Sequence, residues 1–181
     1  MKQRPMIKSE RLLLRPFVLS DANRVQLLAG NKAIASTTLN IPHPYEDGMA
    51  EEWIGTHQER FEKGELHNFA IEIQASKELI GAIGLVVNAE HAHAELGYWI
   101  GEPYWNQGYC TEAAFEVLRY GFVEIGLHRI HANHLSRNPA SGRVMEKVGM
   151  LHEGCRRQHY QKWGVFENVE LYGILGIDFL G

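Results

Sequence analysis

The stretch that most constrains this chain is residues 95–114, ELGYWIGEPYWNQGYCTEAA. It reads as strand, tight loop and helix in immediate succession. Tyr98-Trp99-Ile100 is aromatic and β-branched, the composition of a strand packed on at least one face. Pro103 ends ladder pairing, because it has no N–H to donate. Asn106-Gln107-Gly108 is turn chemistry. From Thr111 the spacing turns helical: Phe115, Leu118, Phe122 and Ile125 recur at steps of three and four, and Gly126 is the expected stop. A small-residue loop that feeds a helix N-terminus presents free backbone N–H groups and the positive end of the helix dipole. Together these attract an anion.

The rest of the chain fits around that unit. Residues 11–15 read as a first strand. Ser20 is the expected N-cap of a helix whose inward positions are Val25 and Leu28 and whose end is Gly30-Asn31. The loop through Pro42-His43-Pro44 is extended, as X-Pro steps demand. A second helix is expected over residues 47–63, with Met49, Trp53, His57 and Phe61 on one stripe and Gly64 closing it. Residues 68–74 and 79–87 form a hairpin by spacing, and 92–100 adds a third antiparallel strand. After the central helix come a strand at 129–135 and a short helix opened by Asn138-Pro139, a good cap followed by a residue suited to the first helical position. On that helix Ser141, Val144, Met145 and Val148 share a face. Strands at 150–157 and 165–175 finish the sheet, with Lys162-Trp163-Gly164 near their turn. The class is α/β (α+β): a mixed, mostly antiparallel central sheet of six to seven strands flanked by about four helices.

At 181 residues and 45% hydrophobic composition, the chain is expected to form one domain over residues 1–181. No apolar run of about 18 residues exists, so no membrane span is expected. The N-terminal MKQRPMIKSERLLLRP lacks the apolar centre of a signal peptide. Two cysteines, Cys110 and Cys155, make no disulfide framework. These features point to the cytoplasm. A net charge of −4, with scattered lysines and arginines, argues against a nucleic-acid-binding module and is compatible with a cationic substrate. Glu46, Asp47, Glu51 and Glu52 at the start of the second helix either complement its dipole or form an acidic rim that attracts an amine.

The string Trp105-x-x-Gly108-Tyr109-Cys110-Thr111-Glu112-Ala113 resembles the acyl-CoA loop of the GNAT N-acetyltransferase superfamily, in the form of its ribosomal-protein N-terminal acetyltransferase (RimJ/RimL-like) branch. Leu127-His128-Arg129-Ile130, Asn138, Ser141, Glu146-Lys147-Val148-Gly149-Met150 and His152-Glu153-Gly154 follow in that branch's order. The resemblance runs over roughly residues 9–176. Cys110 stands where Ala or Gly is usual and is small enough for the loop to close. Asn168 replaces an Asp, which affects a local polar contact there.

The resemblance implies a GNAT-type sheet and acetyl transfer from acetyl-CoA to an amine by direct attack. It implies that backbone N–H groups of Gln107, Gly108, Tyr109, Cys110 and Thr111 hold the cosubstrate's diphosphate. Trp99 and Ile100 would offer main-chain bonds to the pantetheine arm, which enters a gap where two neighbouring strands splay. Asn138 either caps its helix or reaches the pantetheine amide. Glu95 is the first candidate for the base, with partial burial beside Tyr98 and Trp99 expected to raise its pKa. Glu153 is the second. Ser141 is the candidate acid for the leaving thiolate, and Tyr160 is an alternative. Cys110 at a helix N-terminus is read as a packing residue and not as a nucleophile. His128, His131 and His134 collect at no single site, since strand alternation separates His131 from His134, and no zinc spacing occurs, so no metal is expected. The expected partners are acetyl-CoA and an amine acceptor, by resemblance a protein N-terminus. A small amine such as a polyamine, amino acid or aminoglycoside is the alternative. A homodimer is compatible with the sequence; a non-catalytic CoA-binding module is the competing class.

Overall fold

The computed structural model describes residues 2–181. Its sheet contains β1 (Ile7–Lys8), β2 (Leu12–Arg15), β3 (Leu66–Ile73), β4 (Leu79–Asn88), β5 (His93–Ile100), β6 (Arg129–Leu135), β7 (Leu151–Lys162) and β8 (Val165–Leu175). Their spatial order is β1-β2-β3-β4-β5-β6-β8-β7. All neighbours are antiparallel except β5 and β6, which run parallel on either side of the helical crossover. The expected mixed, mostly antiparallel sheet is present, with one strand more than the sequence suggests. The addition is β1, whose two residues are too few to show a period.

The helices are α1 (Ala22–Ala29), α2 (Lys32–Thr37), α3 (Met49–Gly55), α4 (His57–Glu62), α5 (Tyr109–Tyr120), α6 (Pro139–Lys147) and α7 (Gly176–Leu180). Ser20 does not cap α1; it lies inside a 3-10 turn over Leu19–Asp21. Asp21 organises that corner instead. Its carboxylate accepts the Val18 N–H at 2.9 Å and two Arg15 bonds at 2.8 and 2.9 Å. Charge-assisted bonds of this kind are stronger than a hydroxyl can offer. The Asn31 side chain caps α2 by accepting the Ala33 N–H at 2.8 Å, so the residue expected to end one helix also starts another. The helix expected over 47–63 is two helices. Thr56 turns its hydroxyl back onto Trp53 O at 2.8 Å, a local bond that competes with the helical ladder.

α5 begins at Tyr109, two residues before the expected start, and passes into a π-turn over Gly121–Ile125 that stops at Gly126 with φ 78°. A Cβ on Gly121 would lie 2.6 Å from Ile130 Cδ1, so a larger residue here would force the Ile130 side chain to move. The buried face of α5 is Ala113, Ala114, Val117 and Leu118. Phe115 is not on it: the ring is exposed and stacks on Phe179 of α7 at 5.3 Å. α5 and α6 pack on one face of the sheet, over Leu14, Ile71, Ile83, Leu96 and Ile130. α1 and α3 pack on the other face, over Ala70, Leu79 and Ala82. Each large aliphatic side chain buried in these layers contributes roughly 1.5–3 kcal/mol.

The sheet splits between β5 and β6. β5 and β6 pair at only three positions, His93 with Arg129, Ala94 with Ile130 and Glu95 with His131. Beyond them β5 stays with β4 as far as Ile100, and β6 stays with β8 as far as Leu135. The two strands therefore part as a V, with Glu95 and His131 at its vertex.

Candidate active site

The loop between β5 and α5 closes over the open end of the V. Asn106 and Gly108 both adopt left-handed φ, 60° and 81°. This is the chain reversal that glycine accommodates and that a β-branched residue resists. The first hydrogen bond into α5 is Glu112 N–H to Gly108 O at 3.0 Å. The N–H groups of Tyr109, Cys110 and Thr111 thus have no helical acceptor. Gln107, Gly108, Tyr109, Cys110 and Thr111 lie together here, as the sequence implied.

Arg11, at the start of β2, carries no local signal in the sequence that marks it as a site residue. Its Nε donates to Glu112 at 2.7 Å and its Nη1 to Gln107 O at 2.9 Å, while its guanidinium stacks on the Tyr109 ring at 4.6 Å. Ser9 Oγ adds a 2.7 Å bond to Glu112. These bonds fix the loop to the sheet edge. Arg11 Nη2 stands 3.3 Å from where a Gly108 Cβ would be, so positive charge borders the exposed amides. An anionic group of diphosphate size fits this cradle by charge, by free donors and by the space the missing Cβ leaves.

Of the two strand candidates, Ile100 has a partly committed backbone: its carbonyl accepts the Trp105 indole N–H at 2.6 Å. Trp99 packs its ring against the α1–α3 cluster. Asn138 makes no side-chain cap on α6; Pro139 opens the helix and Ser141 N–H reaches Asn138 O at 3.2 Å. The capping role is therefore not used, and the amide is left for another partner.

Ser141 meets a residue absent from the sequence-based site. Tyr98 Oη lies 2.9 Å from Ser141 Oγ and donates to Ser141 O at 3.0 Å. Tyr98 comes from β5 and Ser141 from α6, so this contact bridges the two arms of the V. Burial, reinforced by Cys110, holds the phenol far above its ordinary range, so it is a hydrogen-bond donor and not an ion. Tyr160 stands elsewhere, exposed on β7 with its ring against His159. Cys110 is partly exposed as a residue, but burial of its thiol pushes the pKa up to about 12. A thiol at that value is not a thiolate at neutral pH. Cys110→Ala is expected to keep wild-type turnover within about twofold, measured as thiol release from acetyl-CoA; loss of activity would revive a covalent route.

Glu95 departs from expectation. Its side chain is 51% exposed and lies on the face opposite α5, not packed beside Tyr98 as expected. It accepts from Asn133 Nδ2 at 2.8 Å and faces His131 Nε2 at 4.0 Å. Tyr98 points to the other side of the strand, as alternation requires. Glu153 is tied to Arg129 by a two-point ion pair, one bond being 2.7 Å. The guanidinium holds the Glu153 carboxyl below its usual range, a poor setting for a base. The face carrying Glu95, His131 and Asn133 is open. An added Cβ on Gly97 would meet nothing within 4 Å.

The β7–β8 hairpin, turning at Trp163-Gly164, reaches the loop before α3. Buried Lys162 donates to Leu39 O and Ile41 O at 3.3 and 3.2 Å, and Trp163 lies 6.0 Å from the His43 ring. Asn168 retains a polar contact through its side-chain Oδ1, which accepts Gln158 N–H at 2.8 Å. Among the described residues no group of three or more His, Cys, Asp or Glu is placed to hold a metal ion, and no helix is long and apolar enough to cross a membrane.

Comparison with known proteins agrees with this geometry. The family model described as acetyltransferase (GNAT) domain matches residues 11–151. The chain is 30% identical over 172 residues to the uncharacterized N-acetyltransferase YoaA of Bacillus subtilis (strain 168), covering 94% of this chain and 97% of the relative. Among solved structures, an acetyltransferase (GNAT family) from Bacillus anthracis superposes with a TM-score of 0.84 at 29% identity, covering 96% of this chain and 99% of that one. Two more distant neighbours share the fold with bound ligands. Spermidine N-acetyltransferase from Vibrio cholerae in complex with CoA and spermine has a TM-score of 0.82 at 24% identity, covering 96% and 100%. RimL, a ribosomal L7/L12 alpha-N-protein acetyltransferase in complex with coenzyme A, has a TM-score of 0.84 at 20% identity, covering 94% and 98%. The split sheet, the amide-lined turn before α5 and these matches have one meaning: the chain belongs to the GNAT family and is an acetyl-CoA-dependent N-acetyltransferase.

Proposed function

We propose that the acceptor is a protein N-terminal α-amine, of the ribosomal-protein type. The observation that carries this reading is the open sheet face at the vertex. Glu95 is half exposed, and Gly97 is exposed with nothing within 4 Å of an added Cβ. An extended peptide can lie on such a face with its amine at the vertex. RimL supports the reading as a fold neighbour whose acceptor is a protein N-terminus. A small polyamine is the second reading. It is favoured by exposed Glu46, Asp47, Glu51 and Glu52 around the start of α3 and by the spermine-bound neighbour.

Acetyl-CoA supplies an activated acetyl thioester. In this proposal the amides of residues 107–111, with Arg11 beside them, bind its diphosphate, and residues 99–100 and Asn138 align the pantetheine arm. Glu95 holds the acceptor ammonium at the vertex, where it loses its proton. Ser141, steadied by Tyr98, donates to the leaving sulfur. A mass-spectrometric screen of Ser- and Ala-initiated peptides against spermidine and amino acids is expected to show a +acetyl product on the peptides. Acetylation of the small amines alone would overturn the peptide assignment. Glu95→Gln is expected to lower turnover about tenfold or more with acetyl-CoA affinity unchanged; equal loss of both would assign Glu95 a structural role.

A further inference from the structure

The proton itself needs an acceptor that is basic, reachable and near the vertex. Glu95 and His131 are directly opposed at the last paired position before β5 and β6 part. His131 Nε2 faces Glu95 Oε2 at 4.0 Å, with both side chains partly accessible, while Asn133 occupies the other Glu95 oxygen at 2.8 Å. Both line a cavity of about 520 Å³, together with His93 and residues 86–90. We propose that His131 is the base that takes the acceptor's proton, with Glu95 as the carboxylate that holds the ammonium beside it. This rests on the N-acetyltransferase reading of the same site.

The groups facing His131 are Glu95 and His93 on β5, Arg129 on its own strand and Glu153 on β7. Burial, with His93 and Arg129, outweighs the two carboxylates and holds the imidazole below its ordinary value. It is therefore neutral at physiological pH, with a lone pair to offer. The balance is simple. The ammonium gives one proton to His131 Nε2, and the free amine attacks the thioester carbonyl. The N–C bond forms, the C–S bond breaks, and the thiolate takes a proton through Ser141, replaced from the second proton on nitrogen. His131 then returns its proton to water. One proton is released overall.

The test compares the pH dependence of kcat/KM for wild type, His131→Gln and Glu95→Gln. The acceptor is a Ser-initiated hexapeptide or spermidine, whichever releases more thiol. The acceptor's own titration is common to all three and cancels in the ratios. Wild type should lose activity below an acid limb lying under the ordinary imidazole range. His131→Gln should fall about 100-fold, lose that limb, and keep acetyl-CoA affinity and melting temperature. Glu95→Gln should retain the limb but shift it to lower pH, because Glu95 raises the His131 pKa. A limb that survives in His131→Gln with activity near wild type overturns the proposal and leaves the acetyltransferase reading intact. No acetylated product from wild type with any amine overturns both.

Discussion

Gly108→Val is expected to abolish measurable acetyl-CoA binding, a loss of at least about 100-fold in affinity, while the protein remains folded. Two independent costs act at one residue. The backbone at Gly108 has φ 81°, where a β-branched side chain is strained by roughly 1–3 kcal/mol. The new atoms also enter the cradle itself, where the first of them would stand 3.3 Å from Arg11 Nη2 and Val carries two methyls beyond it. To relieve the strain the turn must rotate its amides away from the anion they would hold. Isothermal titration with acetyl-CoA measures the loss. The strain should lower the melting temperature by about 2–4 °C per kcal/mol, which leaves the protein folded. Unchanged affinity would remove the turn before α5 from the cosubstrate site.

Acidification is expected to destabilise the fold above the range where carboxylates titrate. His57 is 1% exposed. Its Nε2 accepts from Asn68 Nδ2 at 3.1 Å, and its Nδ1 is buried without a partner. Burial, followed by the charges of Arg4 and Arg60, lowers its pKa from 6.5 to about 4. The folded value lies below the unfolded one, so the stabilising form is neutral. Its contribution is complete above pH 6.5 and is lost as the pH falls towards 4. A shift of this size corresponds to about 3 kcal/mol. His67, bonded to Tyr120 Oη at 2.8 Å, is lowered to about 4 by burial and acts in the same window, with a smaller share because it is only half-buried. Thermal melts between neutral pH and about pH 5 should show the midpoint falling by several degrees. His57→Phe should flatten most of that slope; an unchanged slope would place the acid sensitivity elsewhere.

The range of each interaction decides whether the sequence reveals it. The β5–α5 unit is legible because strand composition, Gly108 and the helical spacing lie within about 20 consecutive residues, and local rules act at that range. The V between β5 and β6 is expected only through family resemblance, since no periodicity encodes where two strands stop pairing. Tyr98 and Ser141 are 43 residues apart, and Arg11 and Glu112 are 101 apart. No local pattern announces such meetings. Glu95 shows a subtler limit. The expected burial beside Tyr98 fails on alternation, which puts the two side chains on opposite faces, and no local pattern says whether a helix covers the Glu95 face. The helix expected over 47–63 divides for a different reason: its apolar stripe is continuous, and the interruption comes from one hydroxyl, on Thr56, finding a nearby carbonyl.

The parting of β5 from β6 also bears on how the protein stays together. Strands β1–β5 form one hydrogen-bonded block and β6–β8 another, and just three residue pairs stitch the blocks along their common seam. Helices α5 and α6 and the Tyr98–Ser141 contact brace the seam from one side. A guest that paired along the open length would serve as a missing strand and add to cohesion as well as to chemistry, so occupancy and mechanical integrity of the sheet would rise and fall together.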